Sequence, residues 1–263
     1  MSKISELQAL EEPQTRILFD LQTPRHKIVV REYQNYRWLQ IGGDAIQSVV
    51  DTTHKARVVV PVNQAMLMAT LFARSVDRVL ILGSGGGSFE RFFAQEFPRS
   101  SITAIEKSQQ VIQLAHEFFF YPDSVNIVNG RADHLLVDWP ETFDLILCDI
   151  FDGEQHPSCL ATGLFHQHLS DRLHPTGVVA FNLLTFDQQD LVEILQCARR
   201  HFTHTALYAV PDHNNVVLFA SKQNDFQFTN DRHRERLVSG MKEFDLSLAL
   251  DTIHSLPDVS AKD

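Results

Sequence analysis

The chain has 263 residues, 44% of them apolar, which is enough for one α/β domain with a small appendage. A formal net charge of -10 excludes a general binder of nucleic acid or anionic membrane, since neither field would attract it. Met1 to Arg16 is polar and acidic rather than signal-like, and charges interrupt every apolar run before it could span a bilayer, so cytoplasmic residence is expected. Cys148, Cys159 and Cys197 show neither metal spacing nor an even disulfide set, and no metal is expected.

In chain order, residues 1–25 read as a loosely held arm, with Pro13 and Pro24 breaking any long helix. From His26 to Asp51 the sequence turns to short runs rich in Val, Tyr, Trp and Ile. Ile28–Tyr33, Tyr36–Ile41 and Ala45–Val50 are predicted strands, and Gly42-Gly43-Asp44 supplies a tight turn between the last two. The expectation is a small antiparallel meander, with residues 1–62 forming an arm and β domain. Asn63–Ala73 has apolar residues at helical spacing and leads into residues 63–263, the main domain with its C-terminal extension.

Strand and helix then alternate. Arg78–Leu82, Ile102–Ile105, Val125–Val128, Phe143–Cys148 and Val178–Leu183 are five predicted strands. Phe89, Phe92, Phe93 and Phe97 share one face of the first intervening helix, and Val111, Leu114, Ala115 and Phe118 stripe the second. A helix through Phe165, Leu169 and Leu173 is predicted to stop at His174-Pro175-Thr176-Gly177. Ala206–Val210 and Val216–Ala220 are joined by a link too short for a crossover helix, so they form a hairpin. Five strands joined mostly by helices imply a parallel sheet, and the terminal hairpin gives a Rossmann-like, seven-stranded methyltransferase-type fold rather than that of a dinucleotide dehydrogenase. Beyond Gln223 the chain is polar, with a helix placed near Arg234–Phe244.

The chemistry-bearing residues gather after the predicted strands. Gly83-Ser84-Gly85-Gly86-Gly87 follows the first strand of the main domain and opens a helix, where Gly83, Gly85 and Gly87 allow sharp turning and close approach of a ligand. Glu106 ends the second strand about twenty residues on, where a carboxylate accepts hydrogen bonds from ribose hydroxyls. Loop, strand, helix and acid together point to a nucleoside site. Asp133, after the third strand, either meets an adenine amino group or caps a helix starting near His134. Asp149 and Asp152 follow the fourth strand at the carboxyl edge, where two acids three apart bind a cationic amine or take its proton. The histidines carry no ligand pattern: His166 and His168 face apart, and His201, His204 and His213 lack metal spacing, leaving surface or capping roles. Phe118-Phe119-Phe120-Tyr121 reads as core, not as a substrate cage.

Trp38–Gln47, Arg78–Gly87, Glu106, Asp149–Asp152 and Phe165–Asn182 together resemble the spermidine synthase (polyamine aminopropyltransferase) family, over roughly residues 36–220. The resemblance implies transfer of an aminopropyl group from decarboxylated S-adenosylmethionine to an amine, releasing methylthioadenosine. It implies that Gln47 contacts the donor, Glu106 its ribose and Asp133 its adenine, with Asp149 the base and Asp152 the anchor of the amine. The implied partner is a small-molecule amine acceptor, with a homodimer allowed and neither nucleic acid nor membrane involved. The alternatives are a methyltransferase using intact S-adenosylmethionine, with Arg57 meeting its carboxylate, and a non-catalytic nucleoside-binding protein. Against the family pattern, Gly86 replaces the acid of the glycine loop, and Ala56-Arg57-Val58 stands where Tyr-His-Glu is usual. Gly130-Arg131-Ala132 replaces Gly-Asp-Ala, and Asp152-Gly153 replaces Asp-Pro. Arg57 and Arg131 would repel a polyamine if they faced the site.

Overall fold

A computed structural model describes residues 3–10, 14–23, 27–153, 155–223, 231–241 and 244–256. The expected helix breakers Pro13 and Pro24 lie outside them. The N-terminal segment is not merely an arm. It forms helix α1 (Lys3–Gln8) and strand β1 (Arg16–Gln22), which pairs antiparallel with β2 (Lys27–Tyr33). The meander continues through β3 (Tyr36–Ile41) and β4 (Ile46–Asp51), giving a four-stranded sheet in the order β1-β2-β3-β4. In β1 only Leu18, Phe19 and Leu21 are partly covered, which is the burial of an edge strand.

Helices α2 (Pro61–Leu67) and α3 (Ala69–Phe72) lead into the large sheet. Its strands are β5 (Arg78–Leu82), β6 (Ser101–Glu106), β7 (Asn126–Asn129), β8 (Phe143–Cys148) and β9 (Leu173–Leu184), then β10 (His204–Ala209), β11 (Asn215–Ser221) and the two-residue β12 (His254–Ser255). Their order is β12-β10-β11-β9-β8-β5-β6-β7, with the β5–β9 pairs parallel and β10–β11 the antiparallel hairpin. The short β12 extends the expected seven strands at one edge. The interleaved helices are α4 (Ser88–Glu96), α5 (Gln109–Phe118), α6 (Ala132–Leu135), α7 (Gly163–Arg172) and α8 (Gln188–His201), followed by α9 (Asp231–Gly240) and α10 (Leu246–Asp251). Helix α7 does end near the expected place, but His174-Pro175-Thr176-Gly177 is no separate turn: Leu173 already pairs with Phe143, so the chain passes directly into β9.

Strand alternation divides the core between the two faces of the sheet. Val79, Ile81, Leu145 and Leu147 face the phenylalanines of α4, whereas Leu80, Leu82, Ile146 and Cys148 face Phe165 and Leu169 of α7 and Ile194 and Ala198 of α8. The small sheet packs Ile28, Val30, Leu39 and Val50 against Val111, Leu114 and Phe119. Phe119 and Tyr121 are buried as expected of core, while Phe120 is partly exposed, with Lys55 Nζ 4.0 Å from its ring centre. His166 departs from its expected surface role. It is buried, its Nε2 bonds the Leu160 carbonyl at 2.7 Å, and burial pushes its pKa down to about 4.

Candidate active site at the carboxyl edge

The glycine loop joins β5 to α4, and its open geometry is used first by the chain itself. Gly83, Gly85 and Gly87 all have positive φ, a region costly for residues with a Cβ. A Cβ on Gly83 would lie 2.1 Å from the Asp149 carbonyl oxygen, and one on Gly85 would lie 2.8 Å from Ser48 Oγ. One on Gly87 would lie 2.6 Å from the Tyr121 ring. Gly86 has the same constraint: a Cβ there would lie 2.8 Å from Ser48 Cβ and 3.1 Å from the Phe119 ring. Ser48 and Phe119 therefore account for glycine at the position where the family carries an acid.

Three internal partners hold this loop. The Gly86 N–H donates to Ser48 Oγ at 2.7 Å and the Gly85 N–H to Glu106 Oε2 at 3.2 Å. Arg91, buried in α4, donates to the carbonyls of Gly86, Phe119 (2.8 Å) and Lys55 (2.8 Å). Beneath the loop Ser84 donates to Glu90 Oε1 at 2.6 Å, and complete burial pushes the Glu90 carboxyl up to about 7 against the pull of Ser84 and Arg91.

Glu106 is buried at the end of β6, with Oε1 accepting from the Ser108 N–H at 2.9 Å. Each carboxylate oxygen thus has one backbone donor and a second lone pair to offer a hydroxyl. Across β5, Asp149 leaves β8 with its N–H on the Leu82 carbonyl. Its Oδ1 accepts from Asn182 Nδ2 at 2.8 Å, and Asn182 Oδ1 in turn accepts from Asn215 Nδ2 at 2.8 Å. Burial raises the Asp149 pKa to about 6, with Asn182 opposing the rise and the Glu106 charge adding to it. The fold therefore brings Gly83, Gly85, Glu106 and Asp149 together at one edge of the sheet.

The remaining expected residues are placed differently. Asp152 is half-exposed and ion-paired with Lys107, whose ammonium also donates to the Phe151 carbonyl at 2.6 Å. Asp133 does not cap α6: the N-cap is Arg131, and Asp133, in the first turn, takes a two-pronged bond from that same Arg131 at 2.8 and 3.1 Å. Gln47 is exposed and is the extra residue of a bulge, because Leu39 pairs with Ser48 and Gln40 with Ile46. Its neighbour Ser48 holds the glycine loop.

Arg57, the residue on which the methyltransferase alternative rests, donates to the buried Asp51 at 2.9 Å. Burial pushes the Asp51 pKa up, but Thr53, Asn35 and Arg57 outweigh it and hold the carboxyl below its usual range.

Two residues that brace this edge were not singled out by the sequence. The His156 side chain is largely covered; its Nε2 accepts the Leu184 N–H at 2.7 Å and its Nδ1 pairs with Asp190, so it pins the acidic loop to the β9–α8 junction. Asn182 lay inside a family-like segment, but its role depends on β9 lying beside β8, which no spacing reveals. Among the described residues no group of His, Cys, Asp and Glu is arranged to hold a metal, and no helix is long and apolar enough to cross a membrane.

Searched against family models, the chain matches none. It is 28% identical over 201 residues to a polyamine aminopropyltransferase of Chromobacterium violaceum, covering 75% of this chain and 77% of that protein. It is 26% identical over 247 residues to the polyamine aminopropyltransferase of Vibrio vulnificus, covering 89% and 82%. The fold superimposes on a probable spermidine synthase from Corynebacterium glutamicum with a TM-score of 0.74 at 19% identity, over 93% of this chain and 92% of that one. Those overlaps take in most of the chain, so in sequence it is similar to polyamine aminopropyltransferases and in fold to a probable spermidine synthase, as a divergent relative.

Proposed function

We propose that the protein transfers an aminopropyl group from decarboxylated S-adenosylmethionine to an amine, with Asp149 as general base. The observation that carries this is the partly buried Asp149 carboxylate at the carboxyl edge, raised to about 6 and bonded by Asn182 beside Glu106. A base with that pKa is ionised at neutral pH yet retains more proton affinity than an ordinary carboxylate. In the step proposed, the amine nitrogen attacks the aminopropyl carbon. The new C–N bond forms as the C–S bond breaks, and sulfur keeps the electron pair as a neutral thioether. Asp149 takes the proton that the amine must lose. Glu106 holds the ribose through its free lone pairs, and the glycine loop aligns sulfur, carbon and nitrogen. Gln47 and Asp133 border the donor, and Asp152 adds negative charge on the acceptor side. The sulfonium is already activated, so the residues' main task is alignment.

The test is methylthioadenosine release from the decarboxylated donor with a panel of primary amines, alongside calorimetric binding of methylthioadenosine. Asp149→Asn is expected to retain nucleoside affinity and lose roughly 10²–10⁴-fold in rate, the usual contribution of a general base. A wild-type protein that binds the nucleoside but releases none of it from the donor with any amine overturns aminopropyl transfer. An unchanged rate in Asp149→Asn overturns the base.

A further inference from the structure

Lys107 follows Glu106 directly at the end of β6. Its ammonium reaches the loop after β8, donating to the Phe151 carbonyl at 2.6 Å and pairing with Asp152 Oδ1. Because β5 lies between β6 and β8, this bridge spans the carboxyl end of the strand that opens into the glycine loop. Arg131, already bonded to Asp133, also lies in the field of Asp152. Two acids at this edge are thus answered by two cations of the same chain. The carboxylate that would attract the far ammonium of a long, doubly charged amine already holds an ammonium.

We propose that Lys107 stands in for the acceptor's second ammonium, so that the protein selects amines with one cationic centre over α,ω-diamines. This rests on the aminopropyl-transfer reading above. The reason is electrostatic. A diamine must either share Asp152 with Lys107, placing two like charges a few ångströms apart, or expel the side chain into solvent. A monoamine meets neither obstacle, since its single nitrogen is the one that Asp149 deprotonates. The pair is half-exposed, so water softens the penalty and the expected discrimination is modest, about two- to fivefold.

The experiment compares n-butylamine with 1,4-diaminobutane, two acceptors of equal carbon length. It reads kcat/KM for methylthioadenosine release and, separately, calorimetric binding of each amine to the methylthioadenosine-saturated protein. Wild type is expected to favour the monoamine. Lys107→Met keeps the length of the stem and removes the charge, and is expected to move the ratio about two- to fivefold toward the diamine. Lys107→Arg should keep the wild-type ratio. A wild-type preference for the diamine, or a ratio unmoved in Lys107→Met, overturns the proposal. If no amine is turned over, aminopropyl transfer fails on that readout, and the binding ratio still decides the role of Lys107. Binding of neither amine overturns it too.

Discussion

Asn182→Ala separates the role of the Asp149 environment from the role of Asp149 itself. Asn182 Nδ2 donates to Asp149 Oδ1 at 2.8 Å and is the bond that opposes the burial-driven rise in that carboxyl's pKa. A hydrogen bond to a charged group is worth about 1.5–3 kcal/mol, so its loss should raise the proton affinity of Asp149 by roughly ten- to hundredfold. The midpoint should therefore move upward from about 6. The carboxyl ¹³C shift of Asp149, followed against pH, reads this without any need for turnover. In the pH–rate profile the acidic limb should move the same way, because the base works only when ionised. Asn215→Ala, which leaves the Asn182–Asp149 bond in place but removes its orienting partner, should move the midpoint in the same direction by less. An unmoved or lowered midpoint in Asn182→Ala would refute the claim that this amide tunes the base.

The other expectations concern the donor side. Glu106→Ala should weaken methylthioadenosine binding by about tenfold or more, since it removes the proposed ribose acceptor and leaves the Gly85 N–H without its partner; calorimetry measures it, and unchanged affinity removes Glu106 from the site. Glu90 is raised to about 7, so the native state holds a proton that the unfolded chain releases near pH 4.5, and stability falls as pH rises from about 4.5 to 7. Glu90→Gln should flatten that slope in thermal melts taken across this window, and a slope that persists shows that Glu90 is not its source.

The large sheet was legible because each of its features is local: apolar alternation, a helical stripe, a five-residue link. The placement of Glu106 and Asp149 at one edge is legible because strand ends in such folds all open on that side. Strand β1 was not, because Ile17 and Leu18 are only weakly covered at an edge, and two prolines frame the run. The charge partners were hidden for a different reason. Lys107 and Asp152 lie 45 positions apart in the chain and meet only because β5 brings β6 and β8 together. Arg57 and Arg131 look like site cations in a one-dimensional reading, yet each is committed to a carboxylate, Asp51 and Asp133.

The grip of Arg91 and Ser48 on the glycine loop has a consequence for how the protein is put together. Gly86 is anchored through its N–H to β4 and through its carbonyl to Arg91, which also holds the Lys55 carbonyl just after the small sheet. The glycine loop is thus held from both parts of the chain, by Ser48 on one side and by Glu106 and Arg91 on the other. During synthesis the meander is made first and must wait for residues 83–91 before these bonds can form. A fragment beginning after residue 62 would keep the Glu106 and Arg91 bonds to the glycine loop and lose the one from Ser48. The N-terminal meander therefore supplies one of the three holds on the glycine loop.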